Sequence, residues 1–163
     1  MTTVVILDAD LLSALLKIER LPLVRQFYRV EQLIVPPAVY REVAVTPLFL
    51  LLLEFPWVVV KSPERGSIEI LTREEATGRL GAGEREAIAL AIGRPGCVLL
   101  MNDAQAGRLA ARFGVSVVNL PAFLMACKLA GLLDRAQMEE MIFALWEKDH
   151  YRFREDVQDL LLA

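Results

Sequence analysis

Short apolar runs alternate along the chain with segments whose apolar residues recur at helical spacing. Residues 4–7 form a β-branched run that ends at Asp8. The apolar residues after it recur every three or four positions, at Leu11, Leu12, Leu15, Leu16 and Ile18. A short continuous run is typical of a buried strand, and spacing near 3.6 residues is typical of a helix. The pattern therefore predicts a strand, then Asp8, then a helix.

The same succession returns further along the chain. Residues 33–35 are apolar and stop at Pro36 and Pro37, and proline suits a first helical turn, so we expect a helix over 38–44. Residues 98–101 are apolar, and Asp103 follows as the expected cap of a helix over 104–113. The remaining predicted elements are strands at 57–60 and 115–118, a loop at 62–67, and helices at 84–92, 121–130, 135–146 and 154–162. Strands that alternate with helices predict a parallel α/β sheet.

Length and hydropathy set the organisation of the protein. A chain of 163 residues with neither an internal repeat nor a linker predicts one domain over 1–163. The hydrophobic fraction of 55% is high, so we expect part of that surface to lie in a subunit interface. The apolar stretch 47–60 is broken by Glu54 and Pro56 and is shorter than the roughly 20 residues of a membrane-spanning helix. With no basic, apolar signal segment at the N-terminus, we expect a cytoplasmic protein away from membranes.

Charge and nucleophile content exclude several classes of function. A net charge of −3 argues against binding nucleic acid through bulk positive charge, so any phosphate contact must be local or metal-mediated. Cys97 and Cys127 lack metal-ligand spacing and are best explained as small buried residues. His150 is the single histidine and lies in a polar segment, which disfavours nucleophilic triads. The cations that we consider for substrate contact are Arg73, Arg79, Arg108, Arg112 and Lys128.

Acidic residues stand where the predicted strands end or the predicted helices begin. Asp8 and Asp103 follow apolar strands, and ligand sites in parallel sheets form beyond the carboxyl ends of strands. Glu84 begins a helix after Gly81 and Gly83, and Glu42 lies one to two turns into another. We expect these carboxylates to converge at one edge of the sheet. Each also has a structural explanation, as a helix cap, as a partner of the helix dipole, or as a solvated side chain.

Carboxylates brought close together repel one another unless protons or cations intervene. Hard oxygen ligands suit Mg²⁺ or Mn²⁺. Such an ion can lower the pKa of a bound water, orient the hydroxide and offset charge on a leaving oxygen, which is the chemistry of phosphodiester hydrolysis. The acids therefore predict a metal site with hydrolytic activity.

Several blocks resemble the motifs of PIN domains, in particular the DUF3368 branch. The segments that carry the resemblance are ILDADLL at 6–12 with LKIERL at 16–21, IVPPAVYREV at 34–43, LGAGEREAIALA at 80–91, LLMND at 99–103 and KLAGLL at 128–133. They span about residues 4–133, and residues 134–163 add C-terminal helices. The resemblance implies a three-layer α/β/α sandwich around a mostly parallel sheet.

The resemblance also implies a function. Asp8, Glu42, Glu84 and Asp103 would coordinate Mg²⁺ or Mn²⁺ in a ribonuclease that hydrolyses RNA. Many relatives are toxins of bacterial toxin–antitoxin pairs and are often dimeric, which implies an antitoxin partner and a homodimer. Glu86 is a second candidate in the third block, but residues two apart on a helix point about 200° apart, and the family pattern favours Glu84.

The chain departs from the family pattern at three places. Asp10 stands where relatives usually carry Ser or Thr, so it either adds a fifth acid to the metal site or replaces a hydroxyl hydrogen bond to Asp8. Met101 and Asn102 stand where many relatives have Thr or a second Asp. Asn119 and Leu120 replace a common Gly-Thr turn. These departures bear on substrate contacts more than on the metal site.

Other functions remain open at this point. An Asp-x-Asp after the first strand also begins HAD phosphatases, in which Asp8 would be the nucleophile and Asp10 the acid/base. That reading requires a Ser or Thr that ends another strand, a downstream lysine and a late acidic pair. A receiver-like fold fits the spacing poorly. A catalytically idle PIN-like module that only binds a partner is the alternative from another class.

Overall fold

A central parallel sheet organises the protein. In a computed structural model that describes residues 3–163, the strands are β1 (Val5–Leu7), β2 (Leu33–Val35), β3 (Val58–Val60), β4 (Val98–Leu100) and β5 (Ser116–Val118). The sheet has five strands in the order β3-β2-β1-β4-β5. Each neighbouring pair is parallel, with Ile6 opposite Ile34 and Leu7 opposite Leu100. β1, the first strand of the chain, thus lies at the centre.

Helices connect the strands and cover the sheet. In chain order they are α1 (Ala9–Lys17), α2 (Pro22–Tyr28), α3 (Pro37–Ala44), α4 (Phe49–Leu52), α5 (Arg65–Thr72), α6 (Ala82–Ile92), α7 (Ala104–Arg112), α8 (Leu120–Leu129), α9 (Arg135–Asp149) and α10 (Glu155–Leu162), with a 3-10 helix at Glu75–Arg79.

Alternating side chains of the strands point into two separate cores. Leu7 and Leu100 lie in a core shared with α1, α2, α8, α9 and α10. Ile6 and Leu99 lie in a second core with α6 and α7. Because successive strand residues face opposite sides, the fully buried strands β1 and β2 are covered on both faces. The predicted α/β/α sandwich around a parallel sheet is confirmed.

The centre of the sheet contains a topological switch point. The chain moves from β1 to β2 in one direction, and β4 and β5 lie on the other side of β1. The helix after β1 covers one face and the helix after β4 covers the other. Strand connections that diverge in this way leave a crevice at the carboxyl ends, where ligands bind in open α/β sheets. Asp8 and Asp103 follow the two strands that border this crevice.

The segment between β3 and α6 differs from the prediction. Residues 62–67 were expected to form a loop because of Pro63 and Gly66, but α5 begins at Arg65. Pro63 precedes the helix and so leaves its hydrogen bonds intact, and tertiary packing fixes it through the buried residues Ser67 and Leu71. Helices α2 and α4 and the 3-10 helix were not predicted either. They are short, and a short apolar run does not distinguish a helix from other structure.

The C-terminal helices are attached to the rest of the molecule by packing and by Lys128. The Nζ of Lys128 donates to the carbonyl oxygens of Leu160 and Ala163, at 2.9 and 2.8 Å, and so caps the end of α10. This candidate for substrate contact is therefore engaged in the fold. Cys97 and Cys127 are buried and free, as predicted. Within the described residues, no helix is long and apolar enough to cross a membrane.

Candidate functional site

Asp8 is a buried carboxylate at the end of the central strand. Its backbone N–H extends the sheet by donating to Leu100 O at 3.1 Å, and its side chain is the N-cap of α1, with Oδ1 accepting from the Asp10 N–H at 3.0 Å. Asp8 is only 3% exposed. The other oxygen, Oδ2, is buried and has no hydrogen-bond partner among residues 3–163. A buried polar atom of this kind is costly unless something else compensates it.

The pKa of Asp8 reflects this environment. Burial raises it from 3.8 to about 7, and the hydrogen bond from the Asp10 backbone partly opposes that rise. The negative charges of Asp10, Glu84 and Glu42 raise it further. Asp8 thus lies within electrostatic range of three other carboxylates. A cation bound among them would favour the ionised form of Asp8 and so lower its pKa.

Glu84 and Asp103 approach the same crevice from the second face of the sheet. Glu84 lies in the first turn of α6, and burial followed by the charge of Asp103 raises its pKa. A hydrogen bond from the Gly81 backbone opposes the rise, and Asp10 and Glu42 add to it. Asp103 is exposed and is the N-cap of α7, with Oδ1 accepting from the Ala106 N–H at 2.8 Å, as predicted.

Glu42 reaches the cluster from α3, where its side chain is exposed. α3 packs against α6, and this packing is tight at Gly83. A Cβ on Gly83 would stand 3.3 Å from Glu42 Oε2 and 3.3 Å from Val39 Cγ2. A side chain at residue 83 would therefore crowd the carboxylate of Glu42. The close approach of α3, rather than conformational freedom, explains the glycine at this position.

Glu86 has a different role from Glu84. Its Oε2 accepts a hydrogen bond from the Ala38 N–H at 2.5 Å and so satisfies a free donor in the first turn of α3. The two glutamates thus serve different neighbours, as expected for residues two apart on a helix. Sequence reasoning weighed Glu86 as a metal ligand and missed this anchoring contact. The two prolines before Ala38 were the available signal, since they exclude a side-chain cap at that helix start.

The structure thus gathers Asp8, Asp10, Glu42, Glu84 and Asp103 around the carboxyl edge of β1 and β4. Their carboxylates interact electrostatically, yet no three His, Cys, Asp or Glu side chains in residues 3–163 stand close enough to form a ready-made metal site. The donor chemistry nevertheless fits a hard divalent cation, because the oxygens are carboxylates and Asp8 Oδ2 has no other partner. Exposed carboxylates at helix starts change rotamer easily, so the spacing is adjustable.

The candidate cations separate into engaged and unengaged groups. Arg112 forms a salt bridge with Glu74 at 2.9 Å, and Lys128 caps α10. Within residues 3–163, Arg73, Arg79 and Arg108 form no salt bridge. Arg79, Arg108 and Arg112 line one groove.

The two asparagines that depart from the family pattern stabilise the fold through hydrogen bonds. Asn102 Oδ1 accepts from the Leu120 N–H at 2.8 Å and so joins the end of β4 to the start of α8. Asn119 is the N-cap of α8 and accepts from the Ala122 N–H at 2.9 Å. Both side chains have structural partners, which explains their presence without a substrate contact.

The phosphatase alternative lacks one of the residues that it requires. The residues that follow β2, β3, β4 and β5 are Pro36, Lys61, Met101 and Asn119, so in the described chain no Ser or Thr directly follows one of these strands. His150 is exposed at the end of α9, away from any strand end, as expected for a surface residue.

Comparison with known proteins gives the family. The sequence model of the DUF3368 family, described as a PIN domain, matches residues 4–163. The match extends beyond the motif-bearing segment 4–133 and includes the C-terminal helices. No curated protein matches the chain significantly. PIN domains are generally nucleases and typically use divalent metals. The parallel sheet, the carboxylates at its central edge and the match over nearly the whole sequence show that this chain belongs to the PIN domain family, in its DUF3368 branch.

Proposed function

We propose that this protein is a cytoplasmic ribonuclease that depends on Mg²⁺ or Mn²⁺ and hydrolyses RNA phosphodiester bonds. The observation that carries the proposal is Asp8, a buried carboxylate with an unpartnered oxygen and other carboxylates within electrostatic range. A bound cation would compensate this costly arrangement by pairing with the free oxygen and offsetting the clustered negative charge. Family membership supports the nuclease class, and RNA as the substrate rests on the resemblance.

The carboxylates would hold the ion from different sides of the crevice. Asp8 would hold the ion from the floor of the crevice, because its backbone is fixed in the sheet and its Oδ2 is free. Glu84 and Asp103 would hold it from the second face, and Glu42 from α3, with Asp10 as a further candidate. When bound, the ion supplies an activated water and offsets charge on the phosphate. The buried edge excludes bulk solvent from Asp8 and so strengthens its attraction for a cation.

The organisation and partners of the protein are part of the proposal. We infer that residues 1–163 form one PIN-like unit, since Met138 and Leu161 of the C-terminal helices share a core with Leu7 of β1. We also propose a homodimer and an antitoxin partner. Apolar side chains that could be covered by either include Val45, which is 85% exposed, and Leu129, which is 80% exposed.

The test is cleavage of labelled RNA and DNA of the same sequence with Mg²⁺, with Mn²⁺ and with EDTA. We expect metal-dependent cleavage of RNA by the wild type and loss of that cleavage in Asp8→Asn. Asp134→Asn is the matched control, because Asp134 also caps a helix, accepting from the Gln137 N–H at 2.8 Å, but stands at the start of α9, outside the cluster. It should cleave as the wild type does.

The outcomes separate the candidate functions. Cleavage that survives in EDTA or in Asp8→Asn would contradict the metal mechanism. If the wild type cut neither nucleic acid and bound neither ion in calorimetry, the idle partner-binding module would replace the nuclease. Cleavage of DNA alone would retain the nuclease and correct the substrate.

A further inference from the structure

A groove beside the acids is lined by three arginines, and no Asp or Glu is among its lining residues. It lies between the 3-10 helix and α7, and its volume is about 320 Å³. On α7, Gln105, Arg108 and Arg112 line it together, because residues three, four and seven apart share a helix face. Arg79 lines the opposite wall at the end of the 3-10 helix. In a protein of net charge −3, such a groove is a local concentration of positive charge.

Both walls of the groove lead directly into the acidic cluster. α7 begins at its cap Asp103, and Arg108 lies about 7.5 Å along the helix axis from that cap, at a rise near 1.5 Å per residue. The 3-10 helix ends at Arg79, and the chain then runs through Gly81, the N-cap of α6, to Glu84. α6 and α7 pack against each other, and Glu84 and Asp103 lie at their starts, so each wall is joined through the chain to one of these carboxylates. The groove therefore continues outward from the crevice.

The charge along the groove is uneven. At its far end Arg112 is paired with Glu74 at 2.9 Å, and this pair ties α7 to the start of the 3-10 helix. Nearer the acids, Arg79 and Arg108 form no salt bridge in the described chain and are exposed. Exposed, unpaired guanidinium groups beside a carboxylate cluster are suited to contacting phosphates that flank a reacting one.

The other flank of α6 is a weaker candidate for the same role. A cavity of about 290 Å³ there contains Arg41 and Arg85, but Glu86 lines the same cavity and offsets their charge. Most of its other lining is apolar, including Ile68, Leu71 and Ala89. A backbone of repeated negative charges is better matched by the Arg79 side.

We propose that Arg79 and Arg108 bind consecutive phosphates of a single-stranded nucleic acid and thereby direct the strand out of the crevice along α7. The inference rests on the proposed nuclease function and specifies the side from which the strand enters or leaves. The two unpaired cations of the groove suit one backbone rather than the broad surface of a duplex. These arginines act as substrate-binding residues and take no part in the reaction itself.

The test measures binding of a labelled, unstructured oligoribonucleotide to the full-length protein in EDTA, from about 50 to about 200 mM salt. Each lost phosphate contact lowers the slope of log affinity against log salt by about 0.7 for single strands, so Arg79→Gln/Arg108→Gln should lower it by about 1.4. We expect binding roughly tenfold weaker at the low-salt end. The matched control is Arg41→Gln/Arg85→Gln, which removes the same number of positive charges from the other flank of α6. It should change affinity less than about twofold.

A variant that should bind the oligonucleotide more tightly provides an independent test. Glu74→Gln removes the partner of Arg112 and frees a third cation in the groove. We expect tighter binding and a slope larger by up to about 0.7. Damage to the fold cannot mimic this gain. The oligodeoxyribonucleotide of the same sequence should show the same arginine dependence, because phosphates are common to both nucleic acids, and an RNA-only effect would overturn the phosphate assignment.

The groove and the nuclease can fail separately. If the wild type cleaves RNA but Arg79→Gln/Arg108→Gln keeps the wild-type affinity, salt slope and KM, the groove proposal is wrong and the nuclease stands. If binding shows the expected arginine dependence and no metal supports cleavage, the groove stands and the nuclease is wrong. Equal losses in both double variants, or no binding by the wild type, would overturn the groove.

Discussion

The two strand ends that border the crevice carry the same residue type in the same local role but in different environments. Asp8 and Asp103 both follow a parallel strand, both cap the next helix, and both accept one backbone hydrogen bond. Asp8 follows β1 directly and is 3% exposed, whereas two residues separate Asp103 from β4 and its side chain is exposed. Strand position and linker length therefore decide whether the acid is buried.

The difference indicates how a cluster of like charges is assembled at tolerable cost. One carboxylate is fixed and desolvated, and its second oxygen is left without a partner. Asp10, Glu84 and Asp103 sit at helix starts, where backbone N–H groups favour negative charge, and the exposed Glu42 lies further along α3, where solvent screens repulsion. An ion would find one rigid ligand and several adjustable ones. Asp8 should then dominate affinity and Asp103 should contribute less.

The largest expected effect is the loss of cleavage on changing Asp8. Removing residues that only support a metal ligand typically costs 10–100-fold, so Asp8→Asn should lower kcat/KM by more than about hundredfold. Asp103→Asn should lower it by a smaller factor, since its exposed carboxylate is more readily replaced by water. Steady-state cleavage of one labelled RNA measures both. Equal losses would contradict the ranking, and a larger loss for Asp103→Asn would reverse it.

The second effect concerns stability without metal. A buried carboxyl whose pKa rises from 3.8 to about 7 favours the protonated form in the folded state. Its contribution to the free energy of unfolding is fully present below about pH 4 and is lost as pH rises through about 7. In EDTA at pH 8, Asp8→Asn should therefore raise that free energy by about 1–3 kcal/mol, and the gain should shrink towards pH 5.

Chemical denaturation at pH 8 and pH 5 measures this effect, with Asp103→Asn as the control. Asn is as good a cap as Asp, so the control should stay within about 0.5 kcal/mol at both pH values. Addition of Mg²⁺ should stabilise the wild type and leave Asp8→Asn unchanged, because ligands stabilise only the state that binds them. A destabilised Asp8→Asn at pH 8 would show that its carboxylate already has a partner.

The sequence predicted the central part of this comparison because its signals are local. An apolar run that ends at Asp8, and another that ends just before Asp103, each contain strand, cap and helix within a few residues. Parallel strands then place both acids at one edge. The same locality explains why Asn102 was not understood, since its partner Leu120 is distant in sequence and only the fold brings them together.

The pairing of the cations and the peripheral elements could not be predicted from the sequence. The pairing of Arg112 with Glu74 depends on how α7 meets the 3-10 helix. The start of α5 at Arg65 was missed because Gly66 is a poor helix former that tertiary packing overrides. Local pattern identifies elements, and packing decides which charges meet.

The third effect distinguishes Glu86, which stabilises the fold, from the candidate metal ligands. Glu86→Ala removes the acceptor of the Ala38 N–H at the start of α3, which should lower the free energy of unfolding by about 1 kcal/mol. Glu86→Gln is the matched control, because its amide oxygen can still accept, and it should recover most of the loss. Denaturant midpoints measure both, and a metal affinity that fell in Glu86→Gln as far as in Asp8→Asn would instead make Glu86 a ligand.

The smallest effect separates the charge of Asp10 from its backbone. The Asp10 N–H lowers the pKa of Asp8 while the Asp10 carboxylate raises it, so Asp10→Ser keeps the first influence and removes the second. We expect the pKa of Asp8 to fall but to stay well above 3.8, because burial is the larger cause. Carboxyl-carbon NMR titration in EDTA measures the shift, with Glu31→Ser, just before β2 at the opposite edge of the sheet, as a control that should not move it. If the pKa of Asp8 were unchanged or higher in Asp10→Ser, the two carboxylates would not interact electrostatically. Asp10 would then be removed from the candidate ligands.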